Sequence, residues 1–340
     1  MSLLGLLSLS LLTGPAAPSA PPLVTLVTPA WSGTSELRRG DHTLARFDHL
    51  PGAAVRGAQL PHTDLAVAIA DTSPRRDLSY AASLFLLTPD HPPRRLCDDV
   101  VHASRPLVGP DGRIYVIRGA AGPDPTDRAP RLDSLTLDEI DPATGVPRTL
   151  HHHTGQFLHL AGWHADTVIL YRIDDATADL VAVDTTPPFT VHPLADIPPY
   201  ARDFSIDRDT LTYHDRDDID PHTWHIEQLD LLTGAARTLA ADIDPRAQPF
   251  AAAGTVFAAL TGDILHRLDG RPLAAPCEAA PCIDVIRHAT PDGRWLAGLH
   301  VRPGALPRPF TLDAATGQST LAPAPSAWVD LLGFAAGGAR

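Results

Sequence analysis

One short pattern recurs along this chain and constrains its fold more than any other feature. An alternating apolar run leads into a turn of the form Asp-x-x-Thr-Gly, and a second run ending in Thr-Leu follows. The three intact copies are Asp141–Gly145, Asp230–Gly234 and Asp313–Gly317. Aspartate opens tight turns well and glycine adopts the positive φ that they need, so each copy predicts a β-hairpin.

More degenerate copies of the turn fill the gaps between the intact ones. Together with the intact copies they open at Asp48, Asp90, Asp141, Asp184, Asp230, Asp269 and Asp313. Their mean spacing of about 44 residues matches the length of a four-stranded propeller blade. A second turn precedes an apolar run within each period, most clearly at Pro110-Asp111-Gly112 and Pro291-Asp292-Gly293. Two hairpins per period predict four strands per period.

The Pro-Asp-Gly turn, taken with the Asp-x-x-Thr-Gly hairpin, resembles the WD40-like (PD40) repeat of TolB-type β-propellers. It is also similar to the propeller half of prolyl-oligopeptidase-like enzymes. The resemblance covers residues 40–340 and implies a fold but no particular function. We therefore expect an all-β, seven-bladed β-propeller of four-stranded antiparallel blades. A six-bladed ring with an N-terminal extension is the alternative.

Both ends of the chain fit closure of such a ring. The last apolar run, Trp328–Phe334, has the character of an innermost strand, and Leu23–Thr28 supplies a partner for it. Pairing them in one blade removes the open sheet edges between the first and last repeats. We therefore expect residues 21–340 to form a single propeller domain closed by its N- and C-terminal strands.

The first residues carry the pattern of an export signal. Leu3–Leu12 is apolar and is followed by prolines and small residues, as in a signal peptide with its cleavage zone. No Arg or Lys precedes the run, so an N-terminal strand or a misassigned start is the alternative. We predict a signal peptide over residues 1–20 and a periplasmic or secreted protein. No later apolar stretch approaches the ~20 residues of a membrane helix, so no membrane span is expected.

The chain has three cysteines, two of which are close together. Cys277 and Cys282 flank a short loop that contains prolines, so in an exported protein we expect them to form a disulfide. Cys97 stands alone and is expected to be a free, buried thiol.

Composition excludes several classes of function. The chain has no lysine and no asparagine, which removes Schiff-base chemistry, the P-loop lysine and N-glycosylation. Its 27 arginines stand against 40 acidic residues, and the formal net charge of −13 argues against nucleic acid as a partner. No cofactor motif or metal-ligand spacing stands out, so we expect no cofactor, no metal and a monomer.

The sequence shows no catalytic constellation. It contains no Gly-x-Ser-x-Gly elbow and no His-Glu-x-x-His motif. We therefore expect a non-catalytic scaffold that binds a protein or a small anionic ligand. The alternative is a propeller hydrolase or lactonase with an axial metal, to which His159, Asp203 and Asp330 could contribute.

Cationic side chains recur at one position of the repeat. Alignment of the segments ahead of the second turns places five residues on the innermost strands: Arg56, Arg105, His159, Arg202 and, one position out of register, Arg287. Arginines that converge on the axis would give the channel a positive mouth, which attracts carboxylates or phosphates and repels a metal cation. The competing interpretation is that each arginine forms a structural ion pair with Asp203, Asp284 or Asp330.

The connections between strands predict which face of the ring binds. With the strands of a blade lettered a to d from the axis outwards, the c–d turns are short and alike. The b–c loops are longer and more variable: Asp71–Tyr80, Gly119–Arg131, Asp174–Ala178, Asp215–Pro221 and Val301–Arg308. Variable loops on a repeating scaffold usually carry recognition, so we expect the partner to dock on the face of the b–c and d–a connections.

Overall fold

β-Strands are the regular elements of this chain. The computed structural model describes residues 19–52, 55–71, 82–119, 134–155, 157–174, 177–216, 222–260, 265–268, 273, 282–323 and 325–335, and all regular structure in these ranges is strand. None of these ranges holds a helix with the length and apolar character needed to cross a bilayer. Residues 1–18 of the predicted signal peptide, most of the predicted b–c loops and Cys277 lie outside the described residues.

The described strands form six antiparallel sheets. We divide the eight-stranded sheet into two at the boundary between β7 and β8, and call the resulting seven groups blades 1 to 7. Blade 1 contains β1 (Leu23–Pro29), β2 (Thr34–Arg39), β3 (His42–Asp48) and the last strand, β27 (Ala327–Phe334). Blade 2 contains β4 (Arg56–Gln59), β5 (Ala66–Asp71), β6 (Ala82–Leu87) and β7 (Arg94–Val100). Blade 3 contains β8 (Leu107–Val108), β9 (Ile114–Gly119), β10 (Leu135–Ile140) and β11 (Pro147–His153). The residue pair Val100 and Arg118 joins the sheets of blades 2 and 3.

The remaining blades follow in chain order. Blade 4 contains β12 (Phe157–His164), β13 (Thr167–Asp174), β14 (Thr177–Asp184) and β15 (Val191–Asp196), and blade 5 contains β16 (Arg202–Asp207), β17 (Thr210–Arg216), β18 (Trp224–Asp230) and β19 (Ala236–Ile243). Blade 6 has three described strands, β20 (Phe250–Ala252), β21 (Thr255–Ala259) and β22 (Leu265–Arg267). Blade 7 contains β23 (Ile283–Ala289), β24 (Trp295–Val301), β25 (Arg308–Asp313) and β26 (Ser319–Leu321). The ring of seven blades stays a prediction, because the strand pairing itself gives six sheets.

The intact Asp-x-x-Thr-Gly motifs form outer hairpins, as the sequence predicts. They join β10 to β11, β18 to β19 and β25 to β26, and their glycines (Gly145, Gly234 and Gly317) have φ values of 73°, 71° and 74°. The opening aspartate accepts hydrogen bonds from the turn, as Asp230 does from the N–H groups of Leu232 at 3.0 Å and Thr233 at 2.8 Å. The aspartate thus fixes the turn, and the glycine supplies its left-handed residue.

The outer hairpin of blade 1 does not lie where the repeat pattern places it. It turns at Gly40 and Asp41, between β2 and β3, whereas Asp48 is the last residue of β3 and pairs with Thr34. Gly40 has the positive φ, 55°, that this two-residue turn requires. The assignment of the turn to Asp48 is wrong because the true turn has glycine ahead of aspartate and lacks the rest of the motif.

The first and last strands close the ring, as predicted. β1 pairs with β27 along its whole length, from Leu23 opposite Phe334 to Pro29 opposite Ala327. β1 is therefore paired on both sides, by β27 and by β2, where an open array would leave its inner edge free.

The apolar core lies between neighbouring blades. Fully buried Ile69 and Leu84 of blade 2 belong to one cluster with Val116 and Ile140 of blade 3. Comparable clusters lie between blades 3 and 4, 4 and 5, and 6 and 7. Each sheet is therefore covered on its faces by the next sheet around the ring.

The two described cysteines differ in state. Cys282 is buried and disulfide-bonded, whereas Cys97 in β7 is a free thiol. Burial raises the pKa of Cys97 to about 12, so the thiol is protonated and poorly nucleophilic at neutral pH. The pairing of Cys282 with Cys277 stays a prediction, since Cys277 lies outside the described residues.

We predict that ring closure contributes to the cooperative stability of the whole domain. Leu26 of β1 is 1% exposed, and Leu26→Ala should lower the free energy of unfolding by about 2–5 kcal/mol. Urea unfolding followed by tryptophan fluorescence measures this change. Leu232→Ala, at an outer turn where the leucine is 71% exposed, should cost no more than about 0.5 kcal/mol. Equal losses in the two variants would contradict a packed closing blade.

Candidate functional site in the central channel

A cavity of about 900 Å³ lies where the inner strands of the blades converge. All seven blades or the segments leading into them contribute to its lining, through Asp330, Arg56, Leu107, His159, Asp203, Gln248 and Arg287. Other lining residues belong to d–a and b–c connections, such as Val55 and Pro106 in the former and Trp31 in the latter. The cavity is therefore the central channel of the propeller, and its mouth is on the face of those connections.

Four of the five residues predicted for the channel line this cavity: Arg56, Arg105, His159 and Arg287. Arg202 is not among the lining residues. Its guanidinium packs over the Trp224 ring at 4.0 Å and donates a hydrogen bond to the Pro245 carbonyl oxygen. The neighbouring Asp203 lines the channel instead.

Arg105 forms a structural ion pair inside the channel. Its Nη1 and Nη2 donate to the two carboxylate oxygens of Asp330 at 2.9 and 2.6 Å, and Nη1 also donates to the Gly57 carbonyl oxygen at 2.9 Å. Burial works against the charge, but the Asp330 carboxylate raises the pKa of Arg105 above its usual value. For this residue the ion-pair interpretation holds.

Gly57 is part of the same contact. Its N–H donates to Asp330 Oδ2 at 2.9 Å. A Cβ at this position would lie 2.6 Å from Leu26 Cδ1 and 2.7 Å from the Val67 carbonyl oxygen. Only glycine therefore lets β4 approach β27 closely enough for its peptide group to reach the carboxylate.

Arg56 and Arg287 are not neutralised in this way. Arg56 donates Nη1 to the uncharged Ala103 carbonyl at 2.9 Å, and Arg287 has no hydrogen-bond or ion-pair partner among the described residues. Burial and then the nearby Arg105 lower the pKa of both side chains. An arginine remains charged in proteins even so, which makes these two residues cations that lack a carboxylate of their own.

His159 is a neutral member of the channel wall. Burial and then the charge of Arg56 lower its pKa to about 4, against an opposite effect of Asp203. Its ring stacks on Phe157 at 6.0 Å between centroids. Among the described lining residues, three arginine charges therefore stand against two carboxylates, and the channel is positive within a protein of net charge −13.

Two exposed tryptophans at the mouth were not singled out from the sequence. Trp31, in the b–c connection of blade 1, is 86% exposed, and Trp328, near the start of β27, is 56% exposed. Both line the channel cavity. The available signal was a tryptophan between Pro29 and Gly33 in a chain with 6% aromatic residues, because a loop seldom needs so large an apolar side chain.

A second, smaller cavity of about 500 Å³ lies on the opposite face, between blades 3 and 4. Its two arginines are already paired, Arg113 with Asp141 at 2.6 Å and Arg148 with Glu139 at 2.6 Å. This cavity therefore has no unpaired arginine among its lining residues that could bind an anion. No group of three or more His, Cys, Asp or Glu side chains in the described part of the chain is placed to hold a metal ion. The channel is thus the stronger candidate site.

Two observations identify the fold. The antiparallel sheets are arranged around a channel, and the first and last strands belong to one blade. The fold is a β-propeller. TolB from Acinetobacter baumannii superimposes with a TM-score of 0.53 over 92% of this chain and 67% of its own, at 10% identity. The β-propeller domain of the Trilobed protease from Pyrococcus furiosus gives 0.56 over 79% of this chain and 82% of its own, at 12% identity. That propeller is described as having an open velcro topology, whereas β1 and β27 close the ring here.

A prolyl endopeptidase is also similar, with a TM-score of 0.59 and 13% identity over 91% of this chain. This chain spans 50% of the length of that enzyme. No protein-family model and no curated protein sequence matches the chain. Identities this low show the shared propeller fold, and they leave the function to be argued from the channel.

We predict that Arg105 and Arg287 differ in their contribution to stability. Arg105→Gln leaves Asp330 without its charged partner and should lower the free energy of unfolding by about 1–3 kcal/mol. Arg287→Gln removes a cation that has no partner in the described part of the chain, and should change the free energy of unfolding by no more than about 0.5 kcal/mol. Urea unfolding of both variants measures the difference. A loss at Arg287 as large as that at Arg105 would reveal a structural partner for Arg287.

The buried histidines predict a loss of stability in mild acid. His159 and His288 have pKa values of about 4 in the folded protein, chiefly because of burial, whereas an unfolded histidine titrates near pH 6.5. The unfolded state therefore binds more protons between these values, and stability should fall as the pH decreases from about 6.5 to about 4. Urea unfolding across this range should show a smaller pH dependence for His159→Gln. His42→Gln, at an exposed site, is the control and should behave as wild type.

Proposed function

We propose that this protein is an exported, monomeric and non-catalytic propeller module that binds the anionic group of a protein or small-molecule partner in its channel. The observation that carries the proposal is the surplus of arginine charge there, with Arg287 lacking any partner among the described residues. An arginine that has no carboxylate bound to it can pair with a carboxylate or phosphate group of a ligand. Because the protein has a net negative charge, the rest of its surface repels anions, and the channel is the place that would attract them.

The same geometry weighs against an axial metal, which a propeller hydrolase or lactonase would use. Asp330 already accepts hydrogen bonds from Arg105 and from the Gly57 N–H. Asp203 lies 3.5 Å from the Arg202 guanidinium and 3.7 Å from His214. Three guanidinium groups in the same channel would repel a divalent cation. The carboxylates are thus used to balance arginines, and they do not form a free ligand set.

Export is supported by two independent features. The apolar Leu3–Leu12 run with small residues after it has the pattern of a cleaved signal. Cys282 is disulfide-bonded, which is a state found mainly in oxidising compartments such as the periplasm or the extracellular space. The proposal therefore places the protein there, with residues 1–20 removed.

The proposal predicts saturable binding of simple anions by wild-type protein. Acetate, inorganic phosphate and citrate should raise the Tm, because a ligand that binds only the folded state stabilises it, and should give binding heats by calorimetry. Arg287→Gln should abolish or strongly reduce both effects, since it removes the unpaired cation. Arg237→Gln removes an exposed arginine of the outer strand β19 and serves as the matched control.

Two results would overturn this function. If Arg287→Gln and Arg237→Gln respond to the anions alike, the channel cation does not bind them. If Ca²⁺ or Zn²⁺ binds wild-type protein tightly with one-to-one stoichiometry while the anions do not, the axial-metal alternative stands.

A further inference from the structure

The two exposed tryptophans indicate that the channel ligand is aromatic as well as negatively charged. The chain has five tryptophans, of which Trp31 and Trp328 are largely exposed. Both line the channel cavity. Scattered apolar side chains are normal on a protein surface. Two indoles at the rim of one positive cavity form a joint surface for an aromatic group.

Trp328 lies nearer the mouth of the channel than Arg287, because it is the second residue of its inner strand and Arg287 is the fifth residue of β23. Trp328 and Asp330 are two residues apart in β27, so their side chains project from the same side of the strand about 7 Å apart. Asp330 marks the depth of the cations, because it binds Arg105 directly and its charge acts on both Arg56 and Arg287. The channel therefore presents an aromatic layer at the mouth and, at Arg287, a cationic layer further in.

Two further apolar side chains join the indole rings in the lining of the cavity. Val55 and Phe204 also line the cavity. Trp31 has a left-handed backbone, with φ at 59°, and its ring lies against Gly52, where an added Cβ would be 3.4 Å from Trp31 Cε3. The ring thus lies beside the Gly52 backbone and is 86% exposed. An open indole face is suited to stacking on another planar group.

The volume favours a small molecule as the occupant. The cavity of about 900 Å³ is within the range of small-ligand sites, which is roughly 300–1,000 Å³. A folded protein surface cannot enter a closed ring of this size, although a chain end could. A ligand that contacts both layers would have an aromatic ring system at one end and a carboxylate at the other.

We propose that the channel binds a small aromatic carboxylate, with its ring against Trp31 and Trp328 and its carboxylate at Arg287. This inference rests on the proposed anion-binding function and specifies the class of ligand. Charge alone would select any small anion, and the indoles alone would select any flat apolar molecule. The two layers together select a molecule that carries both groups.

The test compares three probes that separate the two layers: 2-naphthoate, acetate and 2-naphthalenemethanol. Binding is followed by ligand-observed NMR and by the change in tryptophan fluorescence. We expect 2-naphthoate to bind at least about tenfold more tightly than acetate, and 2-naphthalenemethanol to bind weakly. Trp31→Ala and Trp328→Ala should each weaken 2-naphthoate by roughly fivefold and leave acetate unchanged. Arg287→Gln should weaken both anions.

Tyr200→Ala is the matched control, because Tyr200 is 47% exposed in a d–a connection and is not among the lining residues. It should bind all probes as wild type. Equal affinity for 2-naphthoate and acetate, with no effect of the tryptophan variants, would overturn the aromatic selectivity and leave the anion-binding function standing. Binding of 2-naphthalenemethanol as tight as that of 2-naphthoate, unaffected by Arg287→Gln, would overturn both. Tighter binding of the tripeptide Ala-Ala-Phe than of 2-naphthoate would show that a peptide end is the occupant.

Discussion

The ion pair of Arg105 and Asp330 is the contact on which the centre of the ring depends. Asp330 belongs to blade 1, Gly57 to blade 2, and Arg105 leads into blade 3, so one carboxylate links three successive blades. Its hydrogen bonds cross 273 and 225 residues of sequence. Hairpins within a blade need only local information, whereas contacts of this kind turn separate sheets into a ring with a channel. His288 adds a similar link from blade 7, through its Nε2 and the Leu331 carbonyl at 2.9 Å.

The charge left in the channel follows from how its carboxylates are already used. Asp330 has accepted three hydrogen bonds and offers little to the other arginines. Asp203 also lines the channel, but its carboxylate lies 3.5 Å from Arg202 and 3.7 Å from His214, and no ion pair among the described residues joins it to Arg56 or Arg287. Arg56 reaches a neutral carbonyl. The channel has one more arginine than carboxylates. The excess positive charge stays localised at Arg56 and Arg287, because neither of these side chains forms an ion pair with a channel carboxylate among the described residues.

The repeat predicts most of this fold because hairpin formation depends on residues that are adjacent in sequence. Where a blade lacks the motif the turn is misplaced, as between Gly40 and Asp48. The site is less predictable, because it depends on register. A bulge in β16 gives Asp203 a φ of 55° and shifts the strand, so Asp203 lines the channel and Arg202 does not. Trp31 lies in a connection that the repeat does not constrain, so no alignment of repeats could find it.

Because of the position of β27 in the sequence, the channel is the last part of the fold to form. β27 follows every other described strand in the sequence, yet it belongs to the innermost layer and pairs with β1. During synthesis the intervening blades can form in turn from local hairpins, whereas closure must bring together segments separated by nearly the whole chain and is the step of highest contact order. Until β27 is in place the channel lacks Asp330 and Trp328, so the proposed ligand site is incomplete. The proposed site is completed in one step, when this strand enters the sheet.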